Sequence, residues 1–333
     1  MGPRRTEGRS DAGDDHGVYM FGLRVVGLPG LPASRVSPAT GSPRPVAVSI
    51  AGEAEMRERW RPGEARRIVD RRWSDGRLFL AVDEDPDRGY RIDAPEVGVH
   101  LVNAAGTEVF LTEPQGPGWF WQRLLFAQTL PIAAALRGLG LFHASAVRIG
   151  DRAVAISAPS GTGKSATAVH LIANGATFFT DDVLALEIDE DAVLAHAGPE
   201  FLNVDESEVR ALEPGKRERV GRLLGESTKQ HRRPAVVQTR LPLGAFYLME
   251  RNSQSRRVRV DPLDSSGVAA LLGSAFVPHH GTATRLVGHL ELCARMAAAD
   301  QIYRVRVPLR GSAATVATAL MNHATRLLKC PTG

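Results

Sequence analysis

Between Val18 and Leu111 the apolar positions come in short runs, most of them alternating with polar ones and each closed by Gly, Pro, Asp or Asn. VYMFGLRVVGL, RPVAVSIAG, RLFLAVDED, YRIDAPEVGVHLVN and TEVFLTE carry patterns that place one face of a strand on a core. They predict a small, mostly antiparallel β domain. EAEMRERWRPGEARRIV fits either an inserted helix or a strand-rich stretch, and the pattern does not decide between them. TEPQGPG, residues 112–118, reads as a loop and a domain boundary. The chain is therefore expected to divide into a disordered leader (1–16), a mostly β domain (17–118) and a second domain (119–330).

Past that loop the period changes. WFWQRLLFAQTLPIAAALRGLG is helical in pattern, with Pro131 kinking or splitting it. Phe120, Leu124, Leu125, Ala127 and Leu130 form its core-facing stripe. The cluster Trp119, Phe120 and Trp121 fits core packing better than a binding platform. FHASAVRIG and RAVAISA read as a hairpin around Gly150-Asp151, GKSATAVHLIANG as a helix ended by Gly175, and ATFFTDDVLALEID as a buried strand that crosses polar residues into another. After AVLAHAGPEFLNV and a charged stretch, the remainder holds strand patterns (PLGAFYLMERN, RRVRVDPL, QIYRVRVPL) and helical ones (SSGVAALLGSAF, TRLVGHLELCARMAAA, SAATVATALMNHATRLL). An α/β fold follows, with strand–loop–helix–strand at its centre.

That centre holds the candidate chemistry. APSGTGKS, residues 158–165, has the spacing of a phosphate-binding loop, with Ala158 in place of the first glycine. Small residues let successive backbone N–H groups turn inward, and the following helix adds its positive end. Ser160, Gly161, Thr162, Gly163, Lys164, Ser165 and Ala166 are the expected nucleotide-binding residues. Lys164 would reach the β- and γ-phosphates and Ser165 would ligate Mg²⁺, so ATP and Mg²⁺ are the expected cofactors. One helix later a buried strand ends in Asp181-Asp182, a pairing that suits a metal-binding acid plus a general base, or else an exposed turn. His143, taken alone, reads as structural.

Composition adds limits. The chain has 333 residues, 43% of them hydrophobic, a formal charge of +4 and two cysteines, Cys293 and Cys330. Two cysteines make no disulfide framework, and no apolar run approaches the roughly 20 residues of a membrane helix. The opening residues lack the apolar stretch of a signal peptide. A cytoplasmic protein with no membrane partner is expected. The basic residues are scattered and no aromatic–basic motif accompanies them, which argues against nucleic acid.

HASAV, then SGTGKS, then TDD resembles the HPr serine kinase family and its HPr-kinase-like relatives, which share a fold with phosphoenolpyruvate carboxykinase. The spacings from His143 to Lys164 and from Lys164 to Asp182 are similar to that family's, strongly so over residues 141–186 and loosely to the last helix. The resemblance implies a phosphoenolpyruvate carboxykinase/HPr kinase-like C-terminal P-loop domain with a smaller, mostly β N-terminal domain. It implies that Asp182, with Asp181, takes the proton of a substrate hydroxyl and that His143 sits beside the phosphates. Catalytic roles then fall to Asp182, Asp181, His143 and Lys164, and metal ligation to Ser165, Asp181 and Glu200. Lys216, Arg217 and Arg219 in GKRERV are either cations for the transferring phosphate or part of a solvated charged loop.

Ala166 stands where HPr-directed members carry glutamate, and the segment linked to HPr dephosphorylation is not recognisable. Both departures point away from HPr as substrate. The opening YMFGLRVVG…LPGLP resembles relatives in the biosynthesis of modified peptides, among them the lasso-peptide kinases. The leading expectation is an ATP-dependent serine kinase acting on a peptide or small protein, including a precursor peptide. The alternatives are a small-molecule hydroxyl kinase and a non-catalytic nucleotide-binding regulator, the latter favoured if the two aspartates face away from the loop. A homo-oligomer is compatible with the resemblance, since HPr kinases are hexameric, but nothing in the sequence marks an interface.

Overall fold

The structure, a computed structural model, describes residues 17–28, 30–38, 44–61, 63–114, 121–224, 230–236, 238–263, 267–276 and 283–329. The expected leader, Trp119, Phe120 and Cys330 lie outside them. The described residues form a mixed α/β architecture of several sheets.

The first sheet has eight strands: β1 (Val18–Met20), β2 (Leu23–Val26), β3 (Arg44–Ile50), β4 (Arg66–Arg72), β5 (Leu78–Asp85), β6 (Gly89–Ala94), β7 (Gly98–Val102) and β8 (Glu108–Leu111), with α1 (Glu53–Arg59) between β3 and β4. Their order is β1-β2-β3-β8-β7-β6-β5-β4. The ambiguous EAEMRERWRPGEARRIV is both things in turn, a helix and then the edge strand β4. Pairing is antiparallel except that β3 runs parallel to β2 and to β8.

The chain crosses to the second sheet through α2 (Gln122–Leu124), a π-helical turn (Leu125–Thr129) and α3 (Leu130–Leu136). Pro131 lies in the first turn of α3, where its missing N–H costs little, and the irregularity sits just before it. The wider π turn shifts the phase of the apolar stripe. Leu124, Leu125, Phe126 and Leu130 are buried, whereas Ala127, expected inside, is exposed.

Next come β9 (Gly140–Phe142), β10 (Ala144–Ile149), β11 (Arg152–Ser157), α4 (Lys164–Ala173), β12 (Thr177–Thr180), β13 (Leu184–Asp189), β14 (Ala192–His196) and β15 (Leu202–Val204). After them follow α5 (Glu206–Arg210), α6 (Pro214–Arg217), β16 (Arg222–Leu223), β17 (Gln230–Arg233), β18 (Arg240–Asn252), β19 (Arg259–Pro262), α7 (Gly267–Leu272), α8 (Ala283–Ala298), β20 (Ile302–Pro308) and α9 (Ala313–Lys329). Strands β15, β17 and β16 make a small sheet of their own. The nine-stranded sheet runs β12-β10-β11-β18-β14-β13-β9, with β20 on β18 and β19 on β20. Strand β18 organises it: its start pairs antiparallel with β14, and its later residues pair parallel with β11 and β20.

The expected hairpin is present, with Ile149 opposite Arg152 and Gly150 at φ 62° in the two-residue turn. One core surrounds the nine-stranded sheet, α4 and α9. A second lies under the eight-stranded sheet and also takes in Leu141, Val183 and Ala185, so strands of the nine-stranded sheet help bury the eight-stranded one, and a small third cluster gathers Ala51, Met56, Leu101 and Phe110. Cys293 is buried in α8, where burial pushes its thiol up to about 12. Among the described residues no helix is long and apolar enough to cross a membrane.

Candidate functional site

Strand β11 delivers the chain into the 158–163 loop, and α4 leaves from it. Gly161 (φ 78°) and Gly163 (φ 103°) adopt backbone conformations that residues with a Cβ rarely take, which is why glycine stands at both. The loop closes with Thr162 N–H on the Pro159 carbonyl at 3.1 Å. Arg251, from the far end of β18, holds it from outside: Nη2 donates to the Thr162 carbonyl at 3.1 Å, and Nη1 to the carbonyls of Pro308 (3.0 Å) and Gly311 (2.6 Å). The sequence reading had no role for Arg251.

Lys164 and Ser165 open α4 and meet both aspartates at the end of β12. Lys164 Nζ donates to Asp182 Oδ1 at 2.9 Å and lies 3.8 Å from Asp181 Oδ1. Ser165 Oγ donates to Asp181 Oδ1 at 3.1 Å, Ser145 Oγ donates to the same oxygen, and the Asn203 N–H reaches Oδ2 at 3.0 Å. Lys164 also contacts Ser145 Oγ at 3.3 Å. Of the two, Asp181 is buried, its side chain 2% exposed, whereas the Asp182 side chain is 44% exposed; both carboxyls lie against Lys164.

The two carboxyls are driven apart electrostatically. Burial, followed by repulsion from Asp182, raises Asp181, against the pull of Lys164 and its hydrogen-bond donors. Burial also pushes Asp182 upward, but Lys164, with His143 and Arg123 behind it, holds it below the usual range. Asp182 has φ 64°, an uncommon conformation for a residue with a side chain, and this turns its carboxyl back towards Lys164. His143 stands at the same mouth. His143 is exposed; desolvation and the nearby Lys164 lower its pKa, while the Asp182 charge opposes that. Arg123 of α2 adds a cation close to Asp182; burial lowers its pKa and Asp182 raises it.

Other candidates make contacts of their own. The Glu200 carboxylate takes Arg233 at 3.0 Å and the Val236 N–H at 3.4 Å. Lys216 pairs with Glu213, and Arg217 donates to the carbonyls of Leu212 and Arg210. Arg219 approaches Gly175, beyond the C-terminal end of α4, whose ten residues span about 15 Å from the loop. Among the described residues none of the three hydrogen-bonds or pairs with the loop or with the two aspartates.

Ser165 Oγ and Asp181 Oδ1 supply two converging oxygens, a donor set that suits Mg²⁺, which keeps waters and phosphate oxygens for its other positions. Among the described residues no cluster of three or more His, Cys, Asp or Glu forms a self-sufficient metal site.

No family model matches the chain, and no curated protein matches it. Among solved structures it is similar to the HPr(Ser) kinase/phosphatase from Coxiella burnetii, with 11% sequence identity over 56% of this chain and 98% of that one, and a TM-score of 0.31. Likeness at this level is a distant structural relationship and transfers neither residue roles nor substrate.

Proposed function

We propose that the protein is an ATP-dependent kinase that transfers the γ-phosphate to a hydroxyl, with a serine of a peptide or small protein as the leading acceptor. The observation that supports this most is the convergence of Lys164, Ser165, Asp181 and Asp182 at the start of α4. A regulator with no chemistry to perform has no need of two aspartates aimed at its nucleotide loop.

In this reading the loop N–H groups and the α4 N-terminus cradle the phosphates. Ser165 and Asp181 would hold Mg²⁺, which when bound supplies charge neutralisation on the phosphate oxygens. Lys164 exchanges its contact with Asp182 for the β- and γ-phosphates. Loss of that ion pair raises the proton affinity of Asp182, so the residue becomes a base at the moment the nucleotide is seated. The acceptor oxygen then attacks γ-phosphorus as its proton passes to Asp182. His143 and Arg123 face the charge that develops.

The test is incubation with γ-labelled ATP and Mg²⁺ against a panel of serine-containing peptides, free serine and HPr. Label on an acceptor, lost in Lys164→Ala, is the expected result. Label that persists in Lys164→Ala would contradict the assignment of the loop.

A further inference from the structure

The parallel strands β11, β18 and β20 border a cleft of about 500 Å³ beside the loop. The cleft lies at the carboxyl end of β11, and strand carboxyl ends are where open α/β sheets hold ligands. One side of this cleft is built by Ala158, Pro159 and Ser160 of the loop and by His143; the other reaches Arg304 of β20 and is covered by α7. His143 is anchored in the corner, its backbone N–H donating to the Ser274 carbonyl at 2.7 Å. The loop residues that line the cleft run into Lys164, whose Nζ holds Asp182 Oδ1 at 2.9 Å, so the cleft opens towards the carboxyl proposed as the base.

The charges in this cleft are unevenly matched. Glu250, the carboxylate in its lining, lies 3.8 Å from Arg306, and Arg306 is further held by Asp261 at 2.7 Å. Strand register puts Asp261 opposite Arg304, yet its carboxylate goes to Arg306. Arg304 is half-buried, and among the described residues it has no ion-pair partner. A guanidinium that has lost part of its hydration and gained no carboxylate in return is a ready receptor for one, through two parallel N–H···O bonds.

We propose that this cleft is the acceptor site and that Arg304 seats a carboxylate of the acceptor, leaving the acceptor's hydroxyl on the His143–Asp182 side. The substrate class is a hydroxyl compound bearing a carboxylate, either an acidic serine peptide or a small hydroxy acid. The proposal rests on the kinase reading. In the step it serves, the acceptor oxygen forms a bond to γ-phosphorus, the bond from that phosphorus to the β–γ bridging oxygen breaks, the hydroxyl proton goes to Asp182, and ADP leaves.

The experiment is calorimetric titration of the full chain, loaded with Mg²⁺ and a non-hydrolysable ATP analogue, with two matched pairs. One pair is N-acetyl-Gly-Ser-Asp-amide and its Asn counterpart; the other is free serine and serinamide. The acid of one pair is expected to bind about tenfold or more tighter than its amide, the usual scale for a hydrogen bond to a charged group. That advantage should vanish in Arg304→Gln while the affinity for a fluorescent ATP analogue is unchanged. Which pair shows it separates peptide from small molecule. Equal binding of acid and amide in both pairs, or no binding of any, overturns the proposal. So does an Arg304→Gln variant that loses nucleotide affinity, since the cleft would then hold the base of the nucleotide. Label transfer measured on the same samples reads the kinase assignment separately: an Arg304-dependent acid preference without any transfer would leave a carboxylate site and remove the kinase.

Discussion

Asp181 and Asp182 are neighbours in sequence with opposite surroundings. Asp181 is enclosed by Ser145, Ser165 and the Asn203 N–H, and burial raises its pKa; Asp182 faces Lys164, which holds its own pKa down. Two carboxyls separated in this way can divide the work of metal binding and proton transfer. Asp182→Asn should therefore keep nucleotide affinity and lose transfer by about a hundredfold or more, the scale of a general base. Comparing binding of a fluorescent ATP analogue with single-turnover transfer checks it, and an Asp182→Asn enzyme of full activity would remove that residue from the mechanism. Asp181→Asn should instead weaken the dependence of nucleotide binding on Mg²⁺, read by titrating the metal at fixed ATP.

At the scale of elements, the loop is only as good as what holds it. Arg251 ties Thr162 to Pro308 and Gly311, three carbonyls from two separate parts of the chain. Arg251→Ala should lower ATP affinity about tenfold, since hydrogen bonds from a charged group carry roughly 1.5–3 kcal/mol and part of that organises the loop. Unaltered binding in this variant would show that the loop is rigid without the arginine. The hairpin, the loop, α4 and the Asp181-Asp182 strand end were legible because each is local: apolar alternation, a glycine pair, a helical period, then carboxylates. Arg251, Ser145 and Arg123 were not, because they reach the site through sheet pairing and helix packing that no window of sequence contains. The exposed Ala127 shows the same limit on a smaller scale, since a π turn moves the stripe by one residue without leaving a mark in the pattern.

Across the whole molecule, the eight- and nine-stranded sheets are joined by shared core residues and by a charged junction. Glu187 of β13 accepts from Arg44 of β3 at 2.6 Å, from Arg240 of β18 at 2.9 Å and from His196 at 2.9 Å. Burial alone would raise its pKa, but His196 and then Arg44 bring it down to about 2 from 4.5. A carboxyl depressed on folding stabilises the protein at pH values above its unfolded pKa, and that stabilisation is lost as pH falls through the folded value. Glu187→Gln should thus cost about 1–3 kcal/mol at neutral pH, allowing for partial solvent screening of the cluster. The gap from wild type in thermal unfolding should narrow as pH drops from about 4.5 towards 2. A gap independent of pH over that range would assign the loss to packing and not to charge.

The central claim is that the 158–163 loop and Lys164 hold the phosphates of a nucleoside triphosphate, and it can be tested without knowing the acceptor. Calorimetric titration of the chain with ATP, with and without Mg²⁺, in wild type and Lys164→Ala, does this most directly. Saturable, Mg²⁺-strengthened binding that falls by about a hundredfold or more in Lys164→Ala, the loss of a charge-assisted contact in a buried site, is the expected result. Binding equally tight in both proteins, or no binding to the folded wild type, would contradict it.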